Sequence, residues 1–253
     1  MPTSGAGRTG SQSIERALAV LRGLAAADGD LGVSELAALT ELSNSTVHRL
    51  LQALRSDGLV AQDPRTERYH LGPGLIALGR RAESRVRLER LRPRLEELAV
   101  ATGESVSLGT RIGDEVLIVI HVDSPQPLRF DQTPGTHVPV HASAIGKALL
   151  AFSTDPAAEV SALAELTAFT DATLTSRAEL LADVLVARRR GWALNDGERH
   201  VGVRTMAAPL LDGDGRPWAG IAVQGPSVRL PDARLEEVAA LLVTAAVTLG
   251  DAP

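Results

Sequence analysis

The chain has 253 residues, 44% of them hydrophobic and 23% charged, enough apolar material for a packed core in one large or two modest domains. No apolar run reaches the ~18 residues of a membrane span, and the lack of cysteine excludes a disulfide framework, a thiol nucleophile and a cysteine-ligated zinc site. The net charge of −5 is unevenly spread: residues 1–94 carry 14 arginines against 10 acids, and residues 95–253 carry 12 basic residues against 21 acids, an asymmetry expected when only one part of a chain meets phosphate. The excess is concentrated in residues 80–94, however, and fits the solvated face of a helix equally well.

Residues 1–13 are rich in Gly, Ser and Thr and have no apolar segment, so they read as a disordered tail and not a signal peptide. Together with the missing cysteines this fits a cytoplasmic protein. Ile14, Ala17, Leu18, Leu21 and Leu24 recur at helical spacing and predict a first helix, capped by Ser13 and ending near residue 27. A second, short helix is expected from Ser34 as N-cap through Leu36 and Leu39. Glu41-Leu42-Ser43 forms a tight connection into a third helix over residues 44–57, closed by Gly58. Residues 59–62 and 68–71 flank the polar turn Asp63-Pro64-Arg65-Thr66-Glu67 and read as a β-hairpin. Three helices followed by a hairpin make a winged-helix plan. After Gly72-Pro73-Gly74, residues 75–100 are helical in pattern and crowded with arginine, with Pro93 marking a break or the start of a second helix. The periodicity then changes. Residues 106–110, 115–122 and 128–131 read as strands, helices follow at 143–152 and 176–190, a hairpin over 206–223 turns at Asp212-Gly213-Asp214-Gly215, and residues 232–249 form a closing helix. The second half is therefore α+β, with a mostly antiparallel sheet.

The third helix carries the clearest chemistry. Val47, Leu50, Leu51 and Leu54 form a buried stripe, leaving Asn44, Ser45, His48, Arg49 and Gln52 on the opposite face. These side-chain types read base edges and grip phosphate, and the helix N-terminus with Ser43 and Thr46 adds donors favourable to phosphate. Arg65 and Arg68 flank the hairpin tip, where a wing would touch DNA. Asn44-Ser45-Thr46 also fits a glycosylation pattern, which is rejected at the start of a helix in a chain without a signal peptide. In the second half, Ser143 can cap the helix beginning at Ala144, whose free amides suit a carboxylate, with Gly146 keeping that helix end open. Ser143 and Lys147, the only lysine, lie one turn apart, but no general base or oxyanion arrangement accompanies them. His137, His141 and His200 are too scattered for a metal site and read as loop or surface histidines. No catalytic residue, metal or cofactor is expected.

Several segments, in chain order, resemble the IclR family of bacterial regulators: Ser13-Ile14-Glu15-Arg16-Ala17-Leu18, Ser45-Thr46-Val47-His48-Arg49-Leu50-Leu51, Tyr69-His70-Leu71-Gly72 and His141-Ala142-Ser143-Ala144-Ile145-Gly146-Lys147-Ala148. Arg190-Gly191-Trp192, Gly202-Val203-Arg204 with Ala207-Ala208-Pro209, and Gly225-Pro226 continue the resemblance to about residue 249. It implies a winged helix-turn-helix DNA-binding domain at 13–73, a linker helix at 74–90 and a GAF-like effector-binding domain at 91–253. It also implies a homodimer or dimer of dimers on a palindromic double-stranded operator, without membrane attachment. Carried over position by position, the effector site falls on Ala144, Ile145, Asn195, Thr205, Ala222 and Gln224. Asn195 lacks the acidic charge of better-studied relatives, Thr205 replaces a thiol, Ala222 lacks a hydroxyl and Gln224 is longer. These departures point away from the small α-keto acids bound by some relatives and toward another organic acid.

The expected function is a transcription regulator whose operator affinity shifts when a small organic acid binds, the change passing through the helices of residues 75–102. An enzyme of small organic acids lacks any acid/base pair, metal cluster or phosphate loop of workable spacing. A GAF-like interaction module without DNA binding is the third reading, and a salt-titrated gel shift with Arg49→Ala separates it from the first.

Overall fold

The apolar stripes expected from the sequence close into separate cores in a chain that divides into two compact units at Arg85/Val86. The computed structural model describes residues 6–86 and 88–250.

The first unit holds α1 (Ala6–Ala26), α2 (Val33–Thr40), α3 (Asn44–Ser56), a hairpin of β1 (Val60–Gln62) and β2 (Tyr69–Leu71), and α4 (Gly74–Val86). Val20, Leu24, Leu36, Val47, Leu51, Leu54, Val60 and Tyr69 make its core, so the predicted stripe of α3 is the buried one, with Leu50 at its margin. The start of α1 lies seven residues before the expected cap Ser13, within the segment read as a tail. Once the docked part of a helix is nucleated, extending it upstream costs little. The cap of α2 is Gly32 and not Ser34, because the Glu35 carboxylate accepts the Gly32 N–H (2.7 Å). Glu41 ends α2 in the left-handed region (φ 55°), which produces the sharp turn into α3. In the hairpin, Val60 faces Leu71 and Gln62 faces Tyr69, and Leu31 adds a bridge to Tyr69. A side chain at Gly72 would overlap the Gly58 carbonyl, so the exit from the wing requires glycine.

The second unit is built on α5 (Leu88–Thr102), β3 (Ser105–Ile112), β4 (Glu115–Val122), β5 (His137–Pro139), α6 (Ala144–Ala151), α7 (Pro156–Ala162), α8 (Arg177–Arg190), β6 (Ala193–Asp196), β7 (Val203–Leu211), β8 (Pro217–Pro226) and α9 (Asp232–Gly250). Pro93 lies inside α5 and does not end it. The six strands form one antiparallel sheet in the order β5-β4-β3-β8-β7-β6. One core gathers Leu91, Leu95 and Leu98 of α5 and Val238 and Leu242 of α9 with Leu108, Met206 and Ile221 of the sheet. The other gathers Ile145 and Ala148 of α6 and Leu180 and Val184 of α8 with Ile118, Ala207 and Ala222. Ile118 and Ile120 share parity yet lie in different cores. Leu108 pairs with Ile120 and Gly109 with Ile118, so β4 carries one extra residue that switches the face of everything beyond it.

Three expectations for this unit change. Residues 128–131 form no strand; β5 takes the sheet edge instead. The carbonyls that a strand would need there bond to side chains, Leu128 O to Arg229 (2.7 Å) and Phe130 O to Ser105 (2.9 Å), beside prolines 125 and 127, which have no N–H. Helix α7 and strand β6 were not anticipated, although Asp155 caps α7 through two N–H bonds and Pro156 opens it, a legible start signal.

Candidate nucleic-acid interface and effector cleft

The Ser43 hydroxyl accepts the Thr46 N–H (3.3 Å) and contacts the Ser45 and Thr46 hydroxyls, holding the first turn of α3 in place. Asn44, Ser45, His48 and Arg49 lie exposed beyond it, while Thr46 and Gln52 are half-buried. Asn44, His48 and Arg49 form no hydrogen bond or ion pair with any described residue, so their donors and acceptors face outward unused. In the wing, the Asp63 carboxylate accepts the N–H groups of Arg65 (2.7 Å) and Thr66 (3.2 Å). This tight turn leaves the Arg65 side chain 89% exposed. Arg68 is placed differently. Its guanidinium donates to the Asp30 carbonyl (2.8 Å) and to Glu35 (2.6 Å), tying the wing to the start of α2. That bond, with the Gly32 N–H, holds the Glu35 carboxyl below its usual range.

The six residues expected for an effector, Ala144, Ile145, Asn195, Thr205, Ala222 and Gln224, line one cleft of about 470 Å³ counted out to its mouth. Register explains the assembly. Asn195 faces Thr205, Thr205 faces Gln224 and Ser107 faces Ala222, a run of cross-strand neighbours. Small residues let α6 come close: a Cβ at Gly220 would press on Ile145, and one at Gly146 would overlap the Val140 carbonyl. Gly146 is thus required by close backbone approach. Ser143 caps α6 by accepting the Gly146 N–H (3.1 Å), and the N–H groups of Ala144 and Ile145 have no partner among the described residues.

Asn195 is held at both ends of its amide. Its Nδ2 donates to the Ala142 carbonyl (2.7 Å) and its Oδ1 accepts the Glu198 N–H (3.1 Å), which fixes the side chain in the cleft wall and leaves one Nδ2 hydrogen and one Oδ1 lone pair unused. Lys147 is no partner for Ser143. Its ammonium lies between Glu198 (2.5 Å) and Asp183 (2.8 Å), and burial raises the Glu198 carboxyl despite that charge. Sequence reasoning missed Ser107, Gln132 and Arg199 as cleft residues, and placed His200 on the surface without linking it to the site. His200 stands 5.4 Å from the Phe130 ring, and burial with the adjacent Arg199 charge holds it below its usual value. His141 is buried, not superficial, and its Nε2 bonds the Thr167 carbonyl (3.0 Å). His137 opens β5 beside Glu115 (2.9 Å). His121, Asp123 and Asp131 bring ligand atoms within 4.8 Å of one another, but the two acids are exposed and Asp123 also pairs with Arg129.

Comparison with known proteins decides the family. The profile of the IclR helix-turn-helix domain matches residues 13–64, and that of the C-terminal domain of the bacterial transcriptional regulator IclR matches residues 84–250. The chain belongs to the IclR family. The transcriptional regulator BhcR of Paracoccus denitrificans is 39% identical over 249 residues, covering 96% of this chain and 88% of that protein. A crystal structure described as an IclR transcriptional regulator from Silicibacter sp. TM1040 superposes with a TM-score of 0.82 at 28% identity, covering 94% of each chain. The IclR homologue of Microbacterium hydrocarbonoxydans complexed with 4-hydroxybenzoate shares the fold, with a TM-score of 0.78 at 22% identity over 94% of this chain and 97% of that one. This IclR-family chain is accordingly a DNA-binding transcriptional regulator, with an N-terminal helix-turn-helix domain and a C-terminal IclR effector domain. Among the described residues, no helix is long and apolar enough to cross a membrane.

Proposed function

We propose that this IclR-family regulator acts in the cytoplasm, binding a palindromic operator as a homodimer or dimer of dimers and answering to a small organic acid held in the cleft. The observation that carries the DNA assignment is the outward face of α3, where Asn44, His48 and Arg49 are exposed and without intramolecular partners. Arg49 and Asn44 are assigned to base edges, His48, Ser45, Thr46 and the capped N-terminus at Ser43 to phosphates, and Arg65 to the backbone beside the wing. Arg68 holds the wing in position and is not assigned a DNA contact of its own.

In the cleft, the unused N–H groups of Ala144 and Ile145 receive an acid oxygen, Thr205 and Gln224 read the remaining polar groups, and Ala222 leaves room beneath them. The 4-hydroxybenzoate complex of the Microbacterium relative is in keeping with a carboxylic acid as effector. Effector binding acts by linkage: an acid that changes operator affinity by some factor has its own affinity changed by the same factor on the operator. No chemical step is assigned to the cleft, since Ser143 caps α6 and Lys147 is committed to two carboxylates. A salt-titrated gel shift tests the reading. Arg49→Ala should cost specific affinity about tenfold to hundredfold, equivalent to ~1–3 kcal/mol, while leaving non-specific binding almost intact. Equal affinity of wild type and variant for the operator would remove α3 from base recognition.

A further inference from the structure

We propose that Arg199 is the anion-selecting residue of the cleft: its guanidinium pairs with the carboxylate of the effector, so the cleft admits an organic anion and refuses the neutral amide of the same shape. This rests on the cleft being the effector site, and adds to that reading the side chain that reads charge.

The starting point is an unsatisfied cation. Among the described residues of the second unit, six arginines are half-buried: Arg111, Arg190, Arg199, Arg204, Arg229 and Arg234. Five of them donate to a carboxylate or carbonyl of the protein, at 2.5–2.9 Å. Arg199 lines the cleft and donates to no described residue. A guanidinium offers five N–H donors in a planar fork matched to a carboxylate, and the protein itself uses none of those of Arg199, which stay open to the cleft and its water. Burial accordingly holds Arg199 below its usual value, with no acid acting against it.

Its position is fixed by its neighbours. Gly197 turns the loop at φ 73°, and its carbonyl accepts the Thr170 hydroxyl (2.8 Å). The Glu198 carbonyl accepts the Thr173 hydroxyl (2.6 Å), its N–H donates to Asn195, and its carboxylate meets Lys147. A loop so held cannot readily carry Arg199 to another partner. No acidic side chain lines the cleft, and Arg199 is the one lining residue with a fixed charge. The α6 amides receive a neutral carbonyl as well as a carboxylate oxygen, so the helix end alone does not select charge. A guanidinium does.

The test is calorimetry on the full chain with three matched pairs: pyruvate and pyruvamide, succinate and succinamide, 4-hydroxybenzoate and 4-hydroxybenzamide. At least one acid should bind the wild type about tenfold or more tightly than its amide, the worth of a charge-assisted pair. Arg199→Gln should erase that preference by weakening the acid while the amide stays within about twofold, and Arg199→Lys should keep part of it. Without ligand, Arg199→Gln should melt no lower than the wild type, because the guanidinium holds nothing together; a lower melting point would make Arg199 a structural residue and overturn the proposal. Acids that bind Arg199→Gln as well as the wild type would overturn this inference alone. Failure of every acid to bind would overturn the acid-binding reading of the cleft and this inference with it.

Discussion

Lys147 is the single lysine of the chain and 1% exposed, an unusual place for the most strongly hydrated cation a protein can use. Its ammonium fastens α6 to α8 through Asp183 and to the loop after β6 through Glu198, the loop that carries Arg199. Removing one member of a buried pair leaves an uncompensated charge. Lys147→Met should therefore cost about 3–5 kcal/mol in urea denaturation at neutral pH. The loss should depend on pH. Burial already holds the Glu198 carboxyl above its ordinary 4.5, and loss of Lys147 removes the charge that opposes that rise. A carboxyl whose folded pKa is raised favours the fold below its unfolded pKa and loses that contribution as pH rises through the folded value. The deficit of Lys147→Met should thus be smallest near pH 4–5 and grow toward neutrality, and adding Glu198→Gln should recover much of it. A deficit that is flat with pH would mean that Glu198 is not the group left stranded.

At the scale of elements, the wing separates two arginines that look equivalent in the sequence. Arg65 and Arg68 both flank a polar turn, yet one is 89% exposed at the tip, with only a loose 3.9 Å contact to Asp63, and the other holds the wing to α2. Arg65→Ala should leave the melting temperature unchanged and make the slope of log affinity against log salt shallower by about one per wing. Arg68→Ala should instead lower the melting temperature through the lost tie to the Asp30 carbonyl and Glu35. The reverse assignment of the two phenotypes would contradict the geometry. The same contrast marks what was legible in the sequence. The stripe of α3 was legible because Val47, Leu51 and Leu54 repeat at helical spacing, and the α6 cap because Ser143 precedes an alanine-rich run. The bulge of β4 was not, since Ile118 and Ile120 keep perfect alternation while the register shifts beneath them. Arg199 was hidden for a related reason. It stands in a polar stretch with Glu198 and His200, and only the folded loop shows that Glu198 is committed to Lys147 and Asn195 while Arg199 lines the cleft without a protein partner.

Across the whole molecule, charge explains less than placement. Residues 1–80 carry eight arginines and eight acids, so the DNA-binding unit has little net attraction for phosphate. Few contacts are available per copy: among the described residues, Asn44, His48 and Arg49 are the exposed donor-bearing side chains of α3 without a partner, and Arg65 at the wing tip is 89% exposed. In the proposed paired mode, affinity comes from doubling these contacts on a two-fold operator, where both copies of α3 would enter the major groove on one side of the duplex. That geometry is tied to helical phase. Inserting about 5 bp between the operator half-sites turns the second half-site to the opposite side of the DNA, whereas about 10 bp restores its direction but adds a full turn of ~34 Å. Gel shifts with the full chain should show the 5-bp insertion reducing affinity to that of a single half-site. The 10-bp insertion should recover only as much as the span between paired copies tolerates. Unchanged affinity with the 5-bp insertion would mean that each copy of α3 binds independently, and the paired mode of recognition would have to be given up.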